Sequence, residues 1–190
     1  MLEYFKKFYP KFLVDFTLES QLSRFKSFKV LNAPEFSLYK EQKIIIYSNH
    51  FYYYDVHILN RLRKTILKDR KILIWMEEYR NYPYFEKFAK VLPFKTTHEK
   101  IISMRKTIEL LNTYPQKYYF FIFPEGVLHS ESEGILNFNP SLYKFLEYLK
   151  PFVSIALVFK ILNNQVLVKF GEFERNVIRK EALENLYDSL

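Results

Sequence analysis

With 190 residues, of which 49% are hydrophobic, the chain has the size and apolar content of one globular domain with a full core. Its 29 Lys and Arg outnumber its 21 Asp and Glu, and the net charge of +8 favours an anionic partner such as a phospholipid surface, nucleic acid or an acidic carrier protein. Because the chain has no Cys, disulfides, thiolate nucleophiles and cysteine metal sites are excluded.

The first predicted element is an amphipathic helical segment within residues 1–26. Apolar side chains, many of them aromatic, recur at spacings of three and four from Leu2 to Phe16, with lysines between them. Pro10 is expected to bend or restart this helix. Such a stripe can lie flat on an anionic bilayer or pack on the protein's own core, and the pattern alone leaves both interpretations open.

The apolar runs further along the chain are too short to cross a membrane. The longest, at residues 118–124 and 152–159, fall well below the roughly 18 residues that a spanning helix needs. The first residues lack the uninterrupted apolar stretch and small-residue cleavage site that are typical of a secretory signal. We therefore expect a cytoplasmic protein, either free or on the inner face of the membrane.

Short apolar strands alternate with helices over the rest of the chain. Strands are predicted at residues 43–48, 71–76, 117–123, 153–159 and 165–170. Helices are predicted at residues 56–67, 82–90, 99–111 and 141–149, with a last charged helix within residues 173–190. This alternation predicts a single α/β domain over residues 1–190, a sandwich whose mostly parallel sheet is flanked by helices. The last two strands flank Asn163 and Asn164, which predicts a hairpin and hence a mixed sheet.

His50 directly follows the first of these strands, and in an α/β sheet ligands bind at the carboxyl ends of the strands. Asp55 is five residues further on, a spacing that in one regular helix would turn it about 140° away. If His50 lies on the strand-to-helix turn and Asp55 in the first helical turn, the carboxylate can accept the imidazole N–H. That bond would fix the tautomer and leave the other ring nitrogen free to act as a base towards an alcohol.

A second polar turn follows the third predicted strand, at Phe123, Pro124, Glu125 and Gly126. Pro124 fixes its own φ and Gly126 admits a tight backbone, so Glu125 is expected at the strand tip. In a parallel sheet this tip opens on the same edge as His50. The alternative interpretation is an ordinary strand-terminating turn with a solvated glutamate.

The two turns together, Asn49-His50 with Asp55 and then Phe123 to Gly126, resemble the first and third motifs of the glycerolphosphate and lysophospholipid acyltransferase family, which includes the 1-acyl-glycerol-3-phosphate acyltransferases. The resemblance spans about residues 43–159. It implies transfer of an acyl chain from an acyl-CoA or acyl-carrier-protein thioester to a hydroxyl of a lysophospholipid, glycerol phosphate or other lipid alcohol, with no bound cofactor or metal. By this resemblance His50 deprotonates the acceptor and Asp55 orients His50. The implied substrate-binding residues in the two motifs are Asn49, Phe123, Pro124, Glu125 and Gly126.

The second motif of that family usually ends in an Arg that holds the acceptor's phosphate, and here the sequence departs from it. The matching residues 92–98 supply Lys95 and His98 as the available cations, and neither has the planar fork that grips phosphate bidentately. A lysolipid, glycolipid or other lipid alcohol is therefore favoured over an acceptor that is recognised by its phosphate. A solvated loop is the alternative interpretation of both residues.

Three other functions remain as alternatives. A metal-dependent hydrolase would use His50, Asp55, His57 and Glu125 as ligands. A catalytically silent relative would bind acyl chains without turnover. A nucleic-acid protein is disfavoured because the basic residues are spread along the chain without an RNA-binding motif. The expected partners are an anionic membrane surface, a lipid acceptor and an acyl carrier protein.

Overall fold

The computed structural model describes residues 11–77, 85–86 and 89–190, and the strands of this part form one seven-stranded sheet. The strands are β1 (Ser27–Leu31), β2 (Ile44–Ser48), β3 (Lys71–Met76), β4 (Ala89–Pro93), β5 (Tyr118–Ile122), β6 (Val153–Leu162) and β7 (Gln165–Arg175). The helices are α1 (Lys11–Leu22), α2 (Asp55–Thr65), α3 (Thr97–Thr113), α4 (Pro140–Glu147) and α5 (Lys180–Asp188). No helix among these residues is long and apolar enough to cross a membrane.

The strand order in the sheet is β1-β7-β6-β2-β5-β3-β4. Every neighbouring pair is parallel except β6 and β7, so the predicted mixed, mostly parallel sheet is confirmed. β2 lies between β5 and β6, with Ile46 opposite Phe121 on one side and Ile155 on the other. Because β2, β3, β4 and β5 are parallel, the turns that follow them all open on one edge of the sheet, which we call the carboxyl edge.

Helices cover both faces of the sheet and bury two apolar layers. Side chains alternate along a strand, so Ile44 and Ile46 of β2 face one layer while Ile45 and Tyr47 face the other. Buried leucines of α1 and α2 belong to the first layer, and those of α3, α4 and α5 belong to the second. All five residues of β2 are buried, as expected for a central parallel strand.

The opposite edge, the amino edge, is closed by one buried arginine. Arg70 precedes β3, and its guanidinium donates to the carbonyl oxygens of Tyr39, Lys40, Gln42 and Pro115 at 2.8–3.0 Å. These hydrogen bonds join the segments that lead into β2, β3 and β5.

The hairpin around Asn163 and Asn164 is present, and both residues have a positive φ, 50° and 61°. Asparagine tolerates this left-handed conformation, which two-residue hairpin turns require. Both strands of the hairpin are longer than predicted. The prediction of helix from residue 173 is wrong at its start, because β7 continues to Arg175 through its pairing with β6 and the helix begins only at Lys180.

The sequence patterns missed both edge strands, β1 and β4. The helix predicted at residues 82–90 is wrong at its end, because Ala89 and Lys90 lie in β4, paired with Ile72 and Leu73 of β3. Alanine and lysine favour a helix locally, and the edge of β3 overrides that preference. Of the remaining residues of that prediction, 85–86 form a short helical turn and the others lie outside the described residues.

The helix predicted near the amino terminus is present as α1 over its second half. Leu18 and Leu22 are buried in the first apolar layer, whereas Phe16 is 70% exposed. A charged pair between Glu19 and Arg61 of α2 fixes the helix on the domain. Residues 1–10, which carry the rest of the predicted stripe, lie outside the described residues.

Candidate active site

His50 and Asp55 meet at the carboxyl edge of β2. The imidazole Nδ1 lies 2.8 Å from Asp55 Oδ2, which is a full hydrogen bond. The contact is possible because the chain reverses after β2, so that Asp55 begins α2 with its own N–H donating to the carbonyl of Tyr52 at 3.0 Å. The Asp55 side chain is 1% exposed and the His50 side chain 25%, so only the imidazole is open to a substrate.

Burial raises the pKa of Asp55 from its ordinary value to about 6. The hydrogen bond and charge of His50 and the N–H of Tyr52 act in the opposite direction, while the negative charge of Glu125 adds to the rise. Asp55 Oδ1 is buried and has no hydrogen-bond partner within the described part of the chain. Oδ2 is therefore the oxygen through which the carboxylate interacts with His50. This hydrogen bond keeps the imidazole proton on Nδ1 and leaves Nε2 as the reactive nitrogen.

The ring of Phe123 stacks on the imidazole of His50. The two ring centres are 4.0 Å apart and the planes differ by 14°. Phe123 follows β5, the neighbour of β2, so the sheet order brings the two turns into contact. The stack restricts rotation of the imidazole, and Phe123 thus supports His50 directly; any contact of Phe123 with a substrate stays a prediction.

Glu125 is buried, so its interpretation as a solvated turn residue is wrong. Its Oε2 accepts from the backbone N–H of His50 at 3.3 Å, and its Oε1 accepts from the N–H of Leu136 at 2.8 Å. Gly126 has a φ of 78°, which glycine adopts without strain, and this lets the chain turn directly after Glu125. The buried carboxylate holds the turn after β2 against the loop after β5. Its part in an acceptor pocket stays a prediction.

His129 is a member of this site that the sequence patterns did not indicate. Its side chain is 6% exposed, its Nε2 lies 3.1 Å from Glu125 Oε2, and its backbone N–H donates to the carbonyl of His50 at 3.2 Å. The spacing of four residues between Glu125 and His129 was the available signal. That spacing is too common in proteins to single out a site before the loop's path is known.

Asn49 is also at the edge of β2, and both of its amide atoms bind the main chain of β6. Nδ2 donates to the carbonyl of Phe159 and Oδ1 accepts from the N–H of the same residue, each at 2.9 Å. The side chain is fully buried. This pairing favours a structural role, in which Asn49 fixes the start of the turn that carries His50; contact with a substrate stays a prediction.

Lys95 and His98 lie at the same edge but further along it. Both are exposed, at the start of α3 just after β4, and the N–H of Lys95 donates to Glu99. In the sheet β4 is three strands from β2, a separation of about 14 Å at the usual strand spacing. Only an extended acceptor would contact His50 and these two cations together, and their binding role stays a prediction.

The described residues contain no group of three or more His, Asp or Glu side chains that could hold a metal ion. His57, one of the candidate ligands, lies on α2 with its ring 5.9 Å from that of Tyr54. Burial lowers the pKa of His57, which favours its neutral form.

No protein-family model and no curated protein matches this sequence. Among solved structures, the fold is similar to the crystal structure of the 1-acyl-sn-glycerophosphate (LPA) acyltransferase PlsC from Thermotoga maritima, with a TM-score of 0.59. The similarity covers 94% of this chain and 75% of that chain, and the two sequences are 14% identical. At this identity the likeness establishes a shared fold, and the function depends on the side chains at the carboxyl edge.

Proposed function

We propose that this protein is an O-acyltransferase that moves a fatty acyl chain from a thioester, carried by coenzyme A or an acyl carrier protein, to a hydroxyl of a lysophospholipid, glycerol phosphate or other lipid alcohol. The observation that carries the proposal is the half-open imidazole of His50 bonded to a buried carboxylate at the carboxyl edge. The fold shared with an LPA acyltransferase agrees with it.

In the proposed reaction, Nε2 of His50 removes the proton of the acceptor hydroxyl while that oxygen attacks the thioester carbonyl carbon. The carbon–oxygen bond forms, the tetrahedral intermediate collapses, the carbon–sulfur bond breaks, and the imidazolium returns its proton to the leaving thiolate. Asp55 stabilises the imidazolium between these steps. A thioester is already activated, so positioning and a base are sufficient and no cysteine is needed.

The cations near the carboxyl edge limit which acceptor the proposed site can bind. Lys95 and His98 are the candidates for holding an anionic head group, and neither grips phosphate in the bidentate way that arginine does. Of the acceptors proposed above, we therefore favour a lipid alcohol whose recognition depends mainly on its apolar part over glycerol phosphate, which has no such part.

The test is to incubate the purified protein with labelled acyl-CoA or acyl-carrier protein and a total lipid extract, and to identify the product by mass spectrometry. We expect a new acyl ester and release of one thiol for each ester formed. Binding of acyl chains without any ester, by a protein whose folding is verified by circular dichroism, would contradict the proposal and favour the silent lipid-binding alternative.

We also propose that the protein works on an anionic membrane at the cytoplasmic face. Several large apolar side chains are exposed at the carboxyl edge or in the first turns of α3 beside it: Tyr53, Ile101, Ile102, Val127 and Leu128. Lys95 and Arg105 are exposed near the two isoleucines, and the whole chain carries a charge of +8. Apolar side chains beside basic ones suit the interface of an anionic bilayer.

Replacing Ile101 and Ile102 by glutamate is expected to reduce binding to vesicles that contain phosphatidylglycerol by about tenfold or more, because apolar burial is lost and like charge is added. Co-sedimentation with the vesicles measures it. Leu38→Glu is the matched control, since Leu38 is 71% exposed but lies at the amino edge. An equal loss of vesicle binding in both variants would contradict the proposed orientation.

A variant without residues 1–10 tests the amphipathic segment in the same assay.

A further inference from the structure

One exposed carboxylate joins three separate parts of the chain next to the site. Glu131 lies on a short helical turn in the loop between β5 and α4 (residues 123–139, the β5–α4 loop). Its Oε2 accepts from the phenol of Tyr52 at 2.6 Å, and its Oε1 accepts from the phenol of Tyr187. Tyr52 belongs to the turn that carries His50 (residues 49–54, the dyad turn), and Tyr187 lies on α5.

Tyr52 connects this carboxylate to His50 and Asp55. Its backbone N–H donates to Asp55 Oδ2 at 3.4 Å, the same oxygen that binds His50 Nδ1. Its hydroxyl also accepts from the N–H of Ile161 on β6 at 3.3 Å. A displacement of Tyr52 would therefore move the N–H that helps to hold Asp55 Oδ2 in place.

Tyr187 is held from several sides as well. The ring of Phe51 meets it edge-on at 5.3 Å, and Lys160 Nζ lies 4.5 Å from its ring centre. Phe51 also meets the ring of His129 edge-on at 4.9 Å. The same aromatic cluster therefore contacts the imidazole that lies beside Glu125. Through the side chain of Tyr187, α5 thus contacts both the dyad turn and the β5–α4 loop.

The two phenols remain donors across the physiological pH range. Burial, followed by the hydrogen bond to Glu131, raises the pKa of Tyr52 to about 12 and raises that of Tyr187 as well. A single ion pair on the surface contributes little to stability. Here two half-buried phenols donate hydrogen bonds to one charged carboxylate, and each phenol has further contacts.

We propose that Glu131 is a positioning residue: by binding Tyr52 and Tyr187 it fixes the dyad turn against the β5–α4 loop, so that α5 forms part of the active-site scaffold. The activity that this scaffold serves rests on the proposed function. The positioning itself is a structural claim that can be measured without a substrate.

The variants Tyr52→Phe, Tyr187→Phe, Glu131→Gln and Glu131→Ala, each made in the whole 190-residue chain, test this link. Hydrogen exchange of two backbone amides reports it directly: His129 N–H, which donates to His50, and Leu136 N–H, which donates to Glu125. We expect exchange about tenfold faster in Glu131→Ala and a smaller increase in Glu131→Gln, which keeps one acceptor oxygen. Tyr148→Phe, at a tyrosine that is 69% exposed, is the control and should not change exchange.

A second readout is the proton resonance of His50 Nδ1, which is tractable because the chain has four histidines. It should broaden or move upfield in Glu131→Ala if the bond to Asp55 is loosened, and stay in place in Tyr148→Phe. Unchanged amide exchange, or faster exchange with an unchanged Nδ1 resonance, would overturn the proposal. An inactive wild-type protein would instead count against the proposed acyl transfer, while these two measurements would still decide the role of Glu131.

Discussion

Replacing His50 by alanine is expected to lower kcat for acyl transfer about 10³-fold, or ~4 kcal/mol of transition-state stabilisation. The physical reason is that Nε2 of His50 is the base that removes the acceptor's proton. The imidazole of His129 also lies beside a buried carboxylate, but its side chain is only 6% exposed, against 25% for His50. KM for the thioester should change little, because the base acts on the acceptor hydroxyl. Initial rates at saturating donor and acceptor measure the effect.

The alanine variant also leaves Asp55 buried without its partner, so a second substitution separates catalysis from stability. His50→Asn places an amide N–H where Nδ1 stands, so it can still donate to Asp55 Oδ2, but it cannot take up a proton. We expect it to melt close to the wild-type temperature and to be as inactive as the alanine variant. A His50→Asn protein that keeps more than about a tenth of the wild-type rate would refute His50 as the base.

The second large effect is expected for Asp55→Asn, which should lower kcat by about 10³-fold or more. An asparagine amide can donate to Nδ1, which would move the imidazole proton to Nε2 and block the base. It also removes the negative charge that stabilises the imidazolium. A rate within a few-fold of wild type would show that Asp55 serves the fold alone.

The same substitution is expected to change how stability depends on pH. Because the pKa of Asp55 is about 6 in the folded protein and near 3.8 when unfolded, folding favours its protonated form. The stability gained from this group is complete below pH 3.8 and is lost as pH rises through about 6. Relative to Asp55→Asn, the free energy of unfolding of the wild-type protein should therefore fall by about 2 kcal/mol between pH 4 and pH 8.

Urea unfolding of both proteins across that range measures the difference directly. The expected sign is that Asp55→Asn becomes the relatively more stable protein as pH rises, while it is also the less active one. Such a trade between stability and activity is typical of a buried catalytic charge. A difference in the free energy of unfolding that stays constant with pH would mean that burial does not raise the pKa of Asp55.

Local patterns in the sequence were sufficient for the central strands and for the meeting of His50 with Asp55. The apolar runs of β2 and β5 predict buried parallel strands, and polar residues directly after them must lie at the carboxyl edge. The dyad needs only five residues of chain and one turn, so its geometry follows from where the strand ends.

Other parts of the site depended on which strands become neighbours. Glu125 binds the backbone of His50 across 75 positions of sequence, and Tyr52 meets Glu131 across 79. The burial of Glu125, the inclusion of His129 and the contact of α5 all result from β5 and β6 flanking β2.

The sequence by itself therefore determined the fold class and the residues that reach the carboxyl edge, because hydrophobic periodicity and turn chemistry act over a few residues. Only the tertiary structure decided that Ala89 and Lys90 form a strand and that Glu125 is buried. Pairing at a sheet edge can outweigh helix propensity, and the buried carboxylate of Glu125 is satisfied by backbone donors that lie 75 and 11 positions away in the sequence.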